Sequence, residues 1–159
     1  MLVRFLHFDP PGAGRLLALI LVVALAGCGD DGPTSPLTNG SLSMSVDGAT
    51  WSATSVSAQR SGGVVSVAAV EQATITGFGL GFPDGGTGTF AIGATDVAFT
   101  YSEGADGFTA HPFTGSGSTT VTTLPSERVA GTFHGELTPG GGSATGNVMI
   151  TNGTFDIRF

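Results

Sequence analysis

The sequence predicts an all-β fold: an antiparallel β-sandwich or barrel-like domain over residues 41–159, built from roughly ten short strands behind a leader and a flexible tether. Three observations carry this. No window of the domain sustains the 3.6-residue apolar period of an amphipathic helix. Glycine interrupts the chain about every ten residues, the turn spacing of sandwiches and barrels. Thr, Val and Phe are frequent, which suits a pleated, half-buried surface. No stretch leaves room for a crossover helix, so neighbouring strands should run antiparallel.

The elements follow in order. Residues 42–46 and 50–58 flank Asp47-Gly48, a two-residue hairpin turn whose central positions tolerate positive φ. Candidate strands then cover residues 63–70, 74–82, 88–92, 96–101, 107–113, 118–123 and 128–137. Asn152-Gly153 has the same turn chemistry and predicts a hairpin between residues 146–151 and 154–159. Alternation assigns the faces. Phe155, Ile157 and Phe159 point one way, Asp156 and Arg158 the other. In residues 128–137, Val129, Gly131, Phe133, Gly135 and Leu137 share the inner face, with Arg128, Thr132, His134 and Glu136 outside. Val97, Phe99 and Tyr101 line another strand, and Trp51 should cap the core at one end. Burying a Phe is worth roughly 1.5–3 kcal/mol, so the phenylalanines should dominate the core.

Residues 74–82 break the alternation. Phe78, Leu80 and Phe82 alternate with Gly77, Gly79 and Gly81, but Ile75 has the glycine parity, and a bulge near Thr76-Gly77 would reconcile them. The bare glycine face should pack tightly against a neighbouring aromatic; close approach of a ligand is the alternative.

Upstream of the domain, residues 1–27 read as a targeting leader. Arg4 and Arg15 make a positive n-region, and Leu16 to Ala24 are uninterruptedly apolar, too short to span a bilayer as a helix. The run ends in Leu25-Ala26-Gly27-Cys28, which resembles the lipobox of bacterial lipoproteins at all four positions. The resemblance implies cleavage before Cys28 and acylation of Cys28, by diacylglycerol on the thiol and a fatty acid such as palmitate on the new N-terminus. Two or more chains give stable membrane attachment where one gives only marginal binding. Residues 28–40 are polar and rich in Pro and Gly, as a tether should be. Gly29 behind the cysteine, with Asp30 and Asp31 next, implies the outer membrane of the cell envelope, on either face.

Composition removes several function classes. The chain has 159 residues and a formal charge of −7, and all five cations are Arg. An acidic chain so poor in cations will not hold nucleic acid by its phosphates. A single Cys makes neither a disulfide framework nor a Cys-rich zinc site. Loss of the leader, with Arg4, Arg15 and Asp9, takes the charge from −7 to −8, so the lipid and not the protein surface must hold the domain at anionic headgroups.

Four segments occur in a telling order: Asp47-Gly48-Ala49-Thr50-Trp51, Gly88-Thr89-Phe90, Val129-Ala130-Gly131-Thr132-Phe133 and Thr151-Asn152-Gly153-Thr154-Phe155. The pattern resembles a family of small bacterial envelope lipoproteins classed as a domain of unknown function, with Ala130 where that family usually has Ser. The resemblance implies a β-sandwich-like lipoprotein domain and carries over no catalytic, metal or ligand-binding residue.

Catalytic constellations are thin. There is no Gly-x-Ser-x-Gly, and Gly115-Ser116-Gly117 has the wrong spacing. His134 and Glu136 share a strand face, and His111 could join them as a third zinc ligand. The turns around Asp84 and around Glu103 to Asp106 have calcium-ligand chemistry but equally ordinary turn chemistry. The expectation is therefore a non-enzymatic, lipid-tethered module with no cofactor or metal and a binding or structural role, its ligand open between a glycan, an envelope protein and a small apolar molecule. An envelope hydrolase or metal-binding protein using His111, His134 and Glu136 is the alternative.

Overall fold

The computed structural model describes residues 39–93 and 97–159. The expected leader, Cys28 and the expected tether up to residue 38 lie outside the described residues, as does Asp96. The described chain is all-β, with eleven strands: β1 (Gly40–Val46), β2 (Ala49–Ser52), β3 (Ser55–Ser61), β4 (Val64–Glu71), β5 (Thr76–Pro83), β6 (Gly88–Ala91), β7 (Ala98–Glu103), β8 (Asp106–Ala110), β9 (Ser116–Thr123), β10 (Arg128–Gly141) and β11 (Val148–Arg158). All their pairings are antiparallel, and they form one sheet that curls into a half-barrel.

The long strand β10 is the pivot. One edge pairs with β11, which continues the sheet through β1 to β2. Its other edge forks: residues Ala130 to Glu136 pair with β9, which leads to β6, and Thr138 to Gly141 pair with β8, which leads through β7, β5 and β4 to β3. The edge strands β2 and β3 are consecutive in sequence, separated only by Ala53 and Thr54. The Ala53 N–H donates to Leu42 O of β1 at 3.0 Å and the Thr54 N–H to Val70 O of β4 at 2.8 Å. The chain thus steps from one wall to the other in two residues, each tied to its own wall.

Phenylalanines fill the space between the walls. Phe78 stacks on Phe133 at 4.8 Å, Phe99 meets Phe133 edge-on at 6.0 Å, and Phe82 lies against Phe155 at 6.0 Å. Offset and edge-to-face rings at these spacings add to the area term. All five are buried, with Leu80, Leu137, Ile150 and Ile157 around them. The inner glycines of β10 make room: a Cβ on Gly135 would stand 3.0 Å from the Phe99 ring. The β10 faces agree with the alternation, residues 129, 131, 133, 135 and 137 being buried. Val97, Phe99 and Tyr101 are buried too. Trp51 is buried at the end of the core, its indole N–H donating to Thr76 Oγ1 at 2.6 Å, which satisfies the one polar group the ring carries.

Five local expectations are corrected. Asp47-Gly48 is the expected hairpin turn, with φ of +50° and +87°, but the strand drawn over 50–58 is broken at the Ala53-Thr54 corner into β2 and β3. Asn152-Gly153 is not a hairpin. β11 runs through it as one strand, and the register slips there against both neighbours, between Ser43 and Ser45 on β1 and between Phe133 and Gly135 on β10. Asn152, at φ +52°, is the extra residue of a bulge. The bulge reconciles the apolar pattern, since Val148 and Ile150 point inward before it and Gly153, Phe155 and Ile157 after it. β5 has no bulge: its register with β4 is continuous from Val64–Pro83 to Glu71–Thr76. Ile75 precedes the strand, at φ +54° in an exposed turn. Hydroxyl side chains, not an aromatic, cover the glycine face of β5: a Cβ on Gly79 would stand 2.5 Å from Thr100 Oγ1, and one on Gly77 3.0 Å from Ser102 Oγ. Two outer phenylalanines also differ. Phe113 lies beyond the end of β8, in a turn, and Phe159 is partly exposed under the Arg60 guanidinium, 4.3 Å from its ring centroid.

Candidate functional site

The inner face is given over to the core, so chemistry must come from outer faces and turns. The outer side chains of β9, β10 and β11 line a groove of about 790 Å³, within the roughly 300–1,000 Å³ of small-ligand sites. β9 contributes Ser116 and Ser118, β10 contributes Thr132, His134 and Glu136, and β11 contributes Met149, Thr151, Asn152 and Thr154. Alternation puts the first two sets outward. The Asn152 bulge brings both Thr151 and Thr154, of opposite parity, to the same side.

Within the groove, Glu136 accepts a hydrogen bond from Asn147 Nδ2 at 2.6 Å, and Thr154 Oγ1 bonds Ser43 Oγ at 3.0 Å. Among the described residues, the side chains of Ser118, Thr132, His134 and Thr151 have no hydrogen-bond partner within the fold. They remain free to bond something else.

At the Glu136 end stands the turn from β8 to β9. The His111 N–H donates to Thr114 O at 2.8 Å and the Thr114 N–H to His111 O at 2.9 Å, closing a tight loop with Pro112 and Phe113 at its tip. Phe113 N–H donates to His111 Nδ1 at 3.3 Å, and the two rings meet edge-on at 6.0 Å. Phe113 is 91 % exposed. Gly115 (φ +72°) seats the turn on β10, since a Cβ there would stand 2.5 Å from Glu136 O.

The structure therefore separates the anticipated ligands. His134 and Glu136 share the outer face of β10, and His111 belongs to the turn, bonded to its own loop. Among the described residues no three His, Cys, Asp or Glu side chains come together as a metal-holding group. Sequence reading missed the β9 and β11 linings and Phe113. The alternating Ser116, Ser118, Thr120 and Thr122, and Pro112 before Phe113, were the available signals.

The described cations are confined to one end of the strands, where Asp84, Asp156 and Glu127 accompany them, and four acids gather at the other. Asp47, Glu71, Glu103 and Asp106 cluster at one end: Glu71 pairs with Thr76, Thr76 with Glu103, and Glu103 with Asp106. Burial, then the nearby charges of Glu103 and Asp47, pushes the Tyr101 hydroxyl above its ordinary pKa. The Thr74 hydroxyl, with the Thr74 and Ala73 N–H groups, holds Glu71 low. The opposite end holds every described arginine. Arg60 donates to Pro125 O at 2.6 Å and faces Asp84 at 3.8 Å. Arg128 is fork-bonded to Asp156, with Nε to Oδ1 at 2.7 Å, and that contact holds the Asp156 carboxyl below its usual range. Arg158 pairs across from Arg128, and its N–H donates to Asn39 O at 2.6 Å, so the chain enters the domain at this arginine end.

No curated protein and no solved structure matches the chain. A family model described as Domain of unknown function (DUF6252) matches residues 38–156, in keeping with the resemblance read from the sequence as far as an uncharacterised domain. With most of its length inside that match, the chain belongs to the DUF6252 family.

Proposed function

We propose that the protein is a membrane-anchored lipoprotein of the bacterial cell envelope whose β domain is a non-enzymatic binding module, docking its ligand in the β9–β10–β11 groove. The groove carries this reading: it gathers polar side chains that the fold leaves unbonded, on a rigid, fully paired piece of sheet. The anchor rests on Leu25-Ala26-Gly27-Cys28, with lipidation at Cys28 and the outer membrane as its destination. Catalysis by His111, His134 and Glu136 is less well supported, because the first belongs to a different element and Glu136 is already bonded to Asn147.

Metabolic labelling with radioactive palmitate tests the anchor. The wild-type chain should label and pellet with membranes, and Cys28→Ser should do neither. Equal labelling and pelleting of both would reject it.

A further inference from the structure

We propose that the groove takes an uncharged oligosaccharide, with the Phe113 ring as the platform at its rim; this rests on the binding reading above and names the ligand class. Four observations carry it. First, β9, β10 and β11 are each paired on both edges, so no backbone edge is available there for an extended peptide to join. Recognition has to run through side chains. Second, those side chains are hydroxyls, an imidazole, one amide, one carboxylate and the Met149 thioether, and Ser118, Thr132, His134 and Thr151 have no partner within the fold. They can donate to and accept from sugar hydroxyls, which are themselves both donors and acceptors.

Third, the lining holds no arginine or lysine and one acid, Glu136. A phosphorylated or sulfated ligand would find no counter-charge and a repelling carboxylate. A neutral one loses nothing. Fourth, the Phe113 ring is 91 % exposed and held out on a turn closed by two backbone hydrogen bonds and braced by His111, which presents a fixed apolar face on the loop that leads into β9. The turn is seated on β10 at Glu136, where the groove ends. A pyranose has an apolar C–H face and a polar rim, so one sugar unit can lie on that ring while the units that follow it run along the groove's polar lining.

The test uses the full chain in detergent micelles, isotope-labelled for NMR, titrated with cellohexaose and separately with chitohexaose. The two arms distinguish a plain glucan from an N-acetylated amino-sugar chain. One or both should give saturable amide shifts centred on Ser118, Thr132, His134 and Thr151. Phe113→Ala, at an exposed position that does not endanger folding, should weaken binding about fivefold, and His134→Ala should weaken it comparably. Saturable shifts elsewhere, no saturable shift with either sugar, undiminished affinity in Phe113→Ala, or shifts in the groove given by a Ser/Thr-rich peptide and by neither sugar would each overturn the inference. Palmitate labelling retained without sugar binding rejects this inference alone. Sugar binding without labelling rejects the anchor alone.

Discussion

Phe78 of β5 and Phe133 of β10 stack across the two walls of the half-barrel with ring centroids 4.8 Å apart and planes 13° from parallel. Phe133 also meets Phe99 and Phe155 and covers Gly153. Phe133→Ala should therefore cost about 3–5 kcal/mol, the range for a ring deleted from a core that cannot collapse around it. Urea unfolding reads this directly. A loss under ~1 kcal/mol would mean that the walls do not meet there.

Thr119 points inward from β9, fully buried, and its hydroxyl has no hydrogen-bond partner. A buried unsatisfied hydroxyl costs roughly 1–3 kcal/mol, and valine keeps the shape without the polar group. Thr119→Val should raise stability by about 1 kcal/mol and move the urea midpoint upward without changing the slope. A lowered midpoint would show that the hydroxyl has a partner.

Asn152 holds φ at +52° within β11. Asparagine and glycine accept that region, and a β-branched residue does not. Asn152→Gly should leave the melting temperature close to wild type. Asn152→Val should destabilise by roughly 1–2 kcal/mol. It should also disturb amide shifts on both flanks of the bulge, at Met44 and His134. Equal stability of the two variants would rule out the left-handed residue.

The two ends of the molecule should respond to opposite extremes of pH. Asp156 has its carboxyl lowered by the hydrogen bond from Arg128. The unfolded chain therefore binds that proton more readily, and the pair's contribution is present above the ordinary carboxylate range and lost as pH falls through the lowered value. Asp156→Asn should flatten the acid limb of a stability-versus-pH curve. Tyr101 is shifted upward, mainly by burial. Its contribution is intact below the ordinary tyrosine pKa of about 10 and lost as pH rises beyond it. Tyr101→Phe should flatten the alkaline limb, and an unchanged limb would contradict the shift.

Strand content and the inward face of β10 were legible because both are local: alternation of Val129, Phe133 and Leu137 with polar residues needs no knowledge of partners. Asn152-Gly153 was misread for the opposite reason. The dipeptide announces a left-handed residue, but hairpin and bulge share that signal, and the choice depends on whether the flanking segments face each other or face β1 and β10. Ile75 is similar, since only the Val64–Pro83 register shows that the strand begins after it. The groove was half legible. His134 and Glu136 could be placed on one face from sequence, but β9 and β11 reach their side of β10 through pairings that no local pattern specifies. Phe113 resembled one more apolar strand residue until the His111–Thr114 turn removed it from the strand.

The pairing of β1 with β11, from Gly40 against Ile157 to Val46 against Ile150, joins the first and last of the described strands. Among the described strands only β2 and β11 flank β1, so the β1–β2 hairpin lacks its second neighbour until β11 docks. Contacts of such long sequence separation form slowly. The local hairpins can form first, and the sheet gains its full cooperativity only when these distant segments meet.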